Sequence, residues 1–485
     1  MCFIAVGALL FSFGCSGDKK AWQIAKTENT EEAFQNFIDR YPKSAYAEVA
    51  REKAAEIHFS QAEEKDTILA YEKFITKHPE SEQASPARDR IDIFLKSRKP
   101  EFRPVRTVRI ILEQSYDGFE QITTPYRQRR FTELVESNVE RLFNFAGLEV
   151  VPPNSGIPDA VMTIRLRGRA LGEKYSDGNY YYSGASITGN ISLKALDNPE
   201  EKTSFAGKID PPPSLMLMKK AKEAYSQPSE APFDKALRNS TFGRKIIDLM
   251  HDSFGIGFLT ASLLFHETYG FIVKDISNKW LSLGAAALDP LTDTMINGKK
   301  SRVRKRAAEI LGLIGDTRAV PALIKTLQDE DRYVRIAAAA ALGKTKDSRA
   351  VIYLMKIVEK MKWKESNTAA QALQSIRDPR SISSMVTALK DISQGKIISG
   401  PDFVHSDHLK SDTRILEIKA KEIIMDFGVQ SLEFIIAALV EGNEIFQTKA
   451  FQILREITKA DVPNNVKDWE KWWQGNRHRY EKEGI

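Results

Sequence analysis

Apolar residues follow three successive rhythms along the chain, and each rhythm predicts a different architecture. From Ala21 to Phe94 they recur every three to four positions and are interrupted at Pro42 and Pro79, which predicts short paired helices with proline-marked turns. After Lys99-Pro100 the pattern changes. Val105 to Leu112 alternates apolar and polar residues as a strand does. Thr124-Pro125 then opens a helical stretch with Phe131, Leu134, Val135, Val139, Leu142 and Phe143 on one face. Val150-Val151, Ala160 to Leu166, Ser186 to Leu196 and Thr203 to Ile209 read as further strands, followed by helical pieces that include Phe233 to Leu249. A strand, a helix and a run of antiparallel strands predict an α+β domain, one helix layer on one sheet. Helical spacing returns beyond about residue 253 and persists. The run Gly255 to Phe265 is too short to cross a bilayer and predicts a buried helix opening the last domain.

Both helical regions repeat internally. Sliding the first by 37 positions matches Ala25 with Ala62, Thr30 with Thr67, Phe37 with Phe74, Pro42 with Pro79 and Ser44 with Ser81. Each copy predicts a helix, a turn and a second helix with Ser44 or Ser81 as N-cap. The pattern resembles the tetratricopeptide-type repeats of envelope lipoproteins, although its period exceeds the common 34 residues. Tyr41 and His78 either line a peptide groove or simply flank the turns. The C-terminal region repeats at 31. Val303 meets Val334, Arg304 meets Arg335, Gly312 meets Gly343, Asp316 meets Asp347 and Arg318 meets Arg349, while Leu373, Asp378 and Arg380 continue the register. This resembles HEAT repeats of the short, PBS-lyase-like type. Small alanines would let helices approach closely, a Gly-Asp turn would end one helix and cap the next, and Asp and Arg would form a ladder between repeats. Trp469, Trp472 and Trp473 resemble the tryptophan-rich helix that closes bacterial HEAT arrays.

Composition narrows the compartment. Cys2 and Cys15 are the only cysteines among 485 residues. Cys15 follows a short apolar run, Phe3 to Phe11, and precedes the polar Ser16-Gly17-Asp18-Lys19-Lys20. This resembles a bacterial lipoprotein signal, with Ser12 where such signals usually carry Leu and no basic residue ahead of the run. The resemblance implies lipidation of Cys15, a membrane anchor and a mature chain with no thiol left for disulfides. Ser16 after the cysteine resembles the pattern for sorting to the outer membrane. A net charge of +6 allows contact with anionic surfaces without requiring it.

The expected organisation is multidomain and mainly α. It comprises a signal peptide (1–14), tetratricopeptide-like hairpins (15–99), an α+β domain (100–252) and a HEAT-like α-solenoid with a tryptophan-rich cap (253–485). No nucleophile elbow, phosphate loop or dinucleotide fingerprint is present, so neither enzymatic activity nor a cofactor is expected. His405 and His408 with Asp407 come nearest to a metal site, in an expected polar loop between helices, but the ligand set a metal needs is not completed there. Two candidate binding groups remain. Tyr175, Tyr180, Tyr181 and Tyr182 cluster in a Gly/Ser/Asp-rich hairpin connection and either bind peptide or glycan or fold back on the sheet. Arg302, Lys305 and Arg306 belong to a basic run suited to an anionic headgroup or acidic partner; nucleic acid is not expected of an exported protein. The function expected is a lipid-anchored envelope scaffold binding other envelope proteins on its repeat surfaces, facing the periplasm from the outer membrane. The alternatives are a lyase-like HEAT-fold enzyme and a small-ligand- or glycan-binding envelope protein.

Overall fold

A computed structural model describes residues 17–117, 125–174, 180–196, 198–209, 216–217, 236–264, 271–359, 363–395 and 406–482. The chain divides into two compact units, residues 1–279 and 280–485. Most of it is helical, with one sheet in the first unit.

The first unit begins with α1 (Gly17–Glu28), α2 (Glu31–Arg40), α3 (Ala47–Lys65), α4 (Ile68–Lys77) and α5 (Ala84–Lys96). The 37-residue register extends to the backbone. Thr30 and Thr67 adopt nearly the same extended conformation, and each accepts a hydrogen bond from the third residue onward, Ala33 N at 3.1 Å and Ala70 N at 3.3 Å. These threonines are the side-chain caps, and the serines are not. Helices α3 and α5 start at Ala47 and Ala84, too late for Ser44 or Ser81 to cap them. The Ser44 hydroxyl instead donates to Asp18 at 2.7 Å and that of Ser81 to the His78 carbonyl at 3.0 Å.

Each hairpin has its own core. Trp22, Phe34, Phe37, Ala50 and Ala54 pack together in one, and Ala55, Ala62, Ile68, Tyr71, Phe74, Ala87 and Phe94 in the other. Helix α3 serves both, which explains its buried alanines on two faces: a small side chain admits close helices on either side.

The sheet contains β1 (Thr107–Asp117), β2 (Glu149–Val150), β3 (Ala160–Lys174), β4 (Tyr180–Ala195), β5 (Glu201–Ile209) and β6 (Met216–Leu217), in the order β2-β1-β3-β4-β5 with β6 on β4. It is mixed rather than antiparallel throughout. β1 runs parallel to β2 and β3, whereas β3, β4 and β5 pair antiparallel. The helix α6 (Pro125–Phe145) makes the crossover from β1 to β2 and buries Phe131, Val135, Val139, Leu142 and Phe143. Gly189 has no room for a side chain, since a Cβ would sit 2.1 Å from the Arg165 carbonyl oxygen and 2.6 Å from the Phe205 ring.

Hairpins and sheet are joined by polar bonds in a buried seam. Ile68 N donates to Gly147 O at 2.8 Å, and the Thr67 hydroxyl to Glu149 at 3.3 Å. The buried Arg98 guanidinium donates to the carbonyls of Phe102, Val105 and Ala146. Burial, helped by the nearby Arg106 guanidinium, pulls this arginine down to about 9.

The helix α7 (Phe242–Ser262) kinks at Gly255, whose φ of 72° places the backbone against Ser97; a Cβ there would lie 2.1 Å from the Ser97 carbonyl oxygen. The buried helix expected from Gly255 is present through Ser262, as a second helical piece beyond this kink and within the first compact unit. The division between the two compact units falls at Lys279 and Trp280, within α8 (Phe271–Leu283).

In the second unit, α9 (Leu288–Asn297) precedes α10 (Ser301–Ile314) and α11 (Val320–Thr326), α12 (Arg332–Thr345) and α13 (Val351–Glu359), then α14 (Trp363–Ile376) and α15 (Ser381–Ser393). These pairs follow the 31-residue register. Helices α16 (Ser406–Phe427), α17 (Leu432–Leu439) and α18 (Glu444–Thr458) continue the stack, and α19 (Val466–Lys482) packs on α17 with Trp469 fully buried. A Cβ on Gly312 would meet Ala341 at 2.7 Å, and one on Gly343 would meet Ala372 at the same distance. Successive first helices thus touch through a glycine and an alanine. The left-handed turn residue is Gly315 in the first copy (φ 70°) but Lys346 (φ 54°) and Arg377 (φ 56°) in the next two, so the expected Gly-Asp turn holds its shape without its glycine.

Candidate functional site

The recurring charges of the second unit are engaged in structure. Asp316 accepts from the Arg318 backbone N–H at 2.9 Å and from its guanidinium at 3.0 and 2.7 Å. Asp347 with Arg349 and Asp378 with Arg380 repeat this geometry. Arg349 also donates to Thr317 O at 2.9 Å and Arg380 to Ser348 O at 3.1 Å, tying each repeat to the one before it. Hydrogen bonds from Arg318 hold the Asp316 carboxyl down at about 2, and arginine partners lower Asp347 and Asp378 as well.

Arg304 forms the second recurring clamp. Its side chain, 7% exposed, bonds Asp329 at 2.8 and 2.9 Å, Glu330 at 3.0 Å and Gly298 O at 2.9 Å. Arg335, one repeat on, repeats the carbonyl contacts at Asp329 O and Glu330 O but takes its carboxylate from Glu365, which is not the register counterpart of Asp329. The basic run around it is consequently broken up. Arg302 is exposed, Lys305 pairs with Glu309 at 3.4 Å, and Arg306 is half-buried.

The tyrosine cluster is differently placed from its reading as a loop. Tyr180, Tyr181 and Tyr182 are residues of strand β4, paired with Lys174, Glu173 and Gly172 across a register shift at Leu171/Gly172. Tyr181 and Tyr182 also pair with Leu217 and Met216 of β6. Three consecutive tyrosines conceal the alternation of a strand, yet tyrosine favours a pleated backbone. Tyr175 lies outside the described residues. So does His405, whereas Asp407 and His408 fall in the first turn of α16, a helix where a loop was expected.

An exposed apolar surface appears on the second helix of the middle repeat. Ile352 is 46% exposed and Tyr353 39%, with Lys356 one turn on, its ammonium 6.0 Å from the tyrosine ring centre. At the same register the preceding repeat carries Pro321, Ala322 and Lys325, and the following one Ser383, Ser384 and Thr387. The middle repeat alone presents two large apolar side chains there. Neither contributes to the core, which Val351, Leu354 and Val358 fill from the opposite face of α13.

One group went unnoticed in the sequence because its members are distant in the chain. Glu31, His58 and His78 bring their ligand-type atoms within 4.8 Å of one another. A signal existed: each is a position where the two 37-residue copies differ, with Ile68, Leu95 and Tyr41 as counterparts.

Comparison with known families agrees with the geometry of the second unit. Residues 288–374 match the family of HEAT repeats, covering α9 to most of α14. No curated protein matches the chain.

Proposed function

We propose that this chain is a lipid-anchored cell-envelope scaffold that docks envelope proteins on its helical-repeat surfaces. HEAT repeats suggest a protein-interaction scaffold in general, because stacked helix pairs offer long surfaces whose exposed residues are free to vary. The observation that carries the reading is the exposed pair Ile352 and Tyr353 beside Lys356. An aromatic and a branched aliphatic residue on a rigid helix, rimmed by a cation, match the make-up of interface anchors. The tetratricopeptide-like hairpins would add a second platform. The anchor, the envelope location and the outer-membrane sorting rest on the sequence around Cys15 and Ser16. No helix among the described residues is long and apolar enough to cross a membrane, so attachment in this proposal depends on the lipid.

Fractionation of cells producing the wild type and Cys15→Ala tests the anchor. The wild type should sediment with membranes and the variant should be released; a variant that stays with membranes contradicts it. Crosslinking in intact cells followed by mass spectrometry tests the scaffold. Envelope proteins should be recovered with the wild type and lost when residues 280–485 are deleted, while recovery of the chain alone contradicts docking.

A further inference from the structure

We propose that Glu31, His58 and His78 form a binding site for a divalent transition cation of the zinc class within the helical hairpins, with its fourth position open to water. Glu31 is the first residue of α2, His58 lies on α3 and His78 caps the C-terminus of α4, so one ion would brace three helices. Glu31 Oε1 is 3.5 Å from His58 Nδ1 and 3.9 Å from His78 Nε2. A tetrahedral ion with ligands at about 2.0–2.1 Å separates those ligands by roughly 3.3–3.4 Å, so the two distances to Glu31 must shrink by about half an ångström or less, and the two ring nitrogens, within 4.8 Å of each other, must draw together by at most about 1.5 Å.

The two ring nitrogens facing Glu31 are buried and make no hydrogen bond. A buried imidazole nitrogen normally finds a donor or acceptor, and two orphans converging on one carboxylate oxygen are what an ion would satisfy. The surroundings favour ligation. Phe74 packs edge-on against His58 and tilted against His78, and the two imidazoles lie edge to face at 5.2 Å. The His78 backbone N–H donates to Phe74 O, which sets the start of its side chain. Burial lowers both histidines, favouring the neutral ring that binds metal. Two imidazoles and one carboxylate select zinc-like ions over magnesium or calcium, which prefer shells of oxygen.

Lys77 competes for the same oxygen, its ammonium 2.5 Å from Glu31 Oε1. Its side chain is about half exposed and can turn to water when an ion takes over as counter-charge.

The repeat supplies fold-compatible variants. His78→Tyr and His58→Leu install the residues found 37 positions away in the sister copy, Tyr41 and Leu95. Equilibrium dialysis of the full chain against Zn2+, read alongside Co2+ visible absorption, should give one ion that magnesium does not displace, and intense tetrahedral-type cobalt bands. His58→Leu and His78→Tyr should each weaken binding at least tenfold and remove the bands, with helical circular dichroism unchanged. Lys77→Met should bind at least as tightly as the wild type. Zinc bound equally by the His58→Leu/His78→Tyr double variant, or no zinc bound by the folded wild type at 100-fold molar excess, would overturn the proposal.

Discussion

The two repeat regions treat charge in opposite ways. In the 31-residue repeats the charged residues recur with the fold: Arg304 and Arg335 make the same carbonyl contacts, and Asp316, Asp347 and Asp378 the same pairing with arginine. In the 37-residue repeats the caps and apolar positions recur, Thr30 with Thr67 and Phe37 with Phe74, while the half-buried polar group Glu31, His58 and His78, drawn from both copies, has no counterpart 37 positions away. A polar residue that returns every period is explained by packing, since every repeat must meet its neighbour alike. One that appears once needs another explanation. Ile352 and Tyr353 obey the same logic from the apolar side, as large exposed residues where neighbouring repeats hold smaller ones.

The recurring positions should be the most sensitive to substitution. Arg304→Ala should be the most damaging change, costing about 3 kcal/mol, because it leaves the largely buried Asp329 without its cation. Urea denaturation would measure this, and a loss below about 1 kcal/mol would remove the clamp from the account. Gly312→Ala follows at about 1–3 kcal/mol, since the new methyl meets Ala341 at 2.7 Å and the two helices must separate. Thermal unfolding that is unchanged would show the helices are not in tight contact.

Caps come next. Thr30→Ala and Thr67→Ala should each cost about 1 kcal/mol, with Thr67 the costlier because it is buried and also bonds Glu149. Equal losses would separate the seam from the cap. The smallest effect concerns acid. The folded-state value of Asp316, about 2, lies below its ordinary value of 3.8, so its pairing stabilises the fold above about pH 4 and is lost as pH falls toward 2. Asp316→Asn should remove that part of the acid limb, seen as a flatter stability profile between pH 4 and 2. An unaltered limb would mean that the exposed ladder contributes nothing.

Legibility followed periodicity. The 31-residue register showed the helix pairs, the close approach at small alanines and the Asp-Arg ladder, because each is fixed by residues at constant spacing; that Gly312 and Gly343 are the partners of those alanines emerged only from the packing. The sheet's strands were legible from alternation, but the parallel pairing of β1 with β2 and β3 was not: pairing direction depends on partners far along the chain. Tyr180 to Tyr182 were misplaced because a run of one residue type has no period. Gly255 marked a helix start, and the structure adds what spacing could not show: its positive φ sets that break against Ser97, a contact between distant segments. The His58–His78–Glu31 group was hidden for the same reason, and it becomes visible when one asks where the copies disagree.

On this reading, departures from repeat register carry function while the recurring residues carry the fold. Restoring the register on α13 with Ile352→Ser and Tyr353→Ala tests it, because Ser383 and Ala322 already hold those places in neighbouring repeats. The decisive measurement is photocrosslinking in intact cells from a probe at position 356, in the wild-type and register-restored backgrounds. The account predicts a discrete adduct with an envelope protein in the wild type and its loss in the restored chain at unchanged melting temperature. The same adduct in both backgrounds, or none in the wild type, would contradict it.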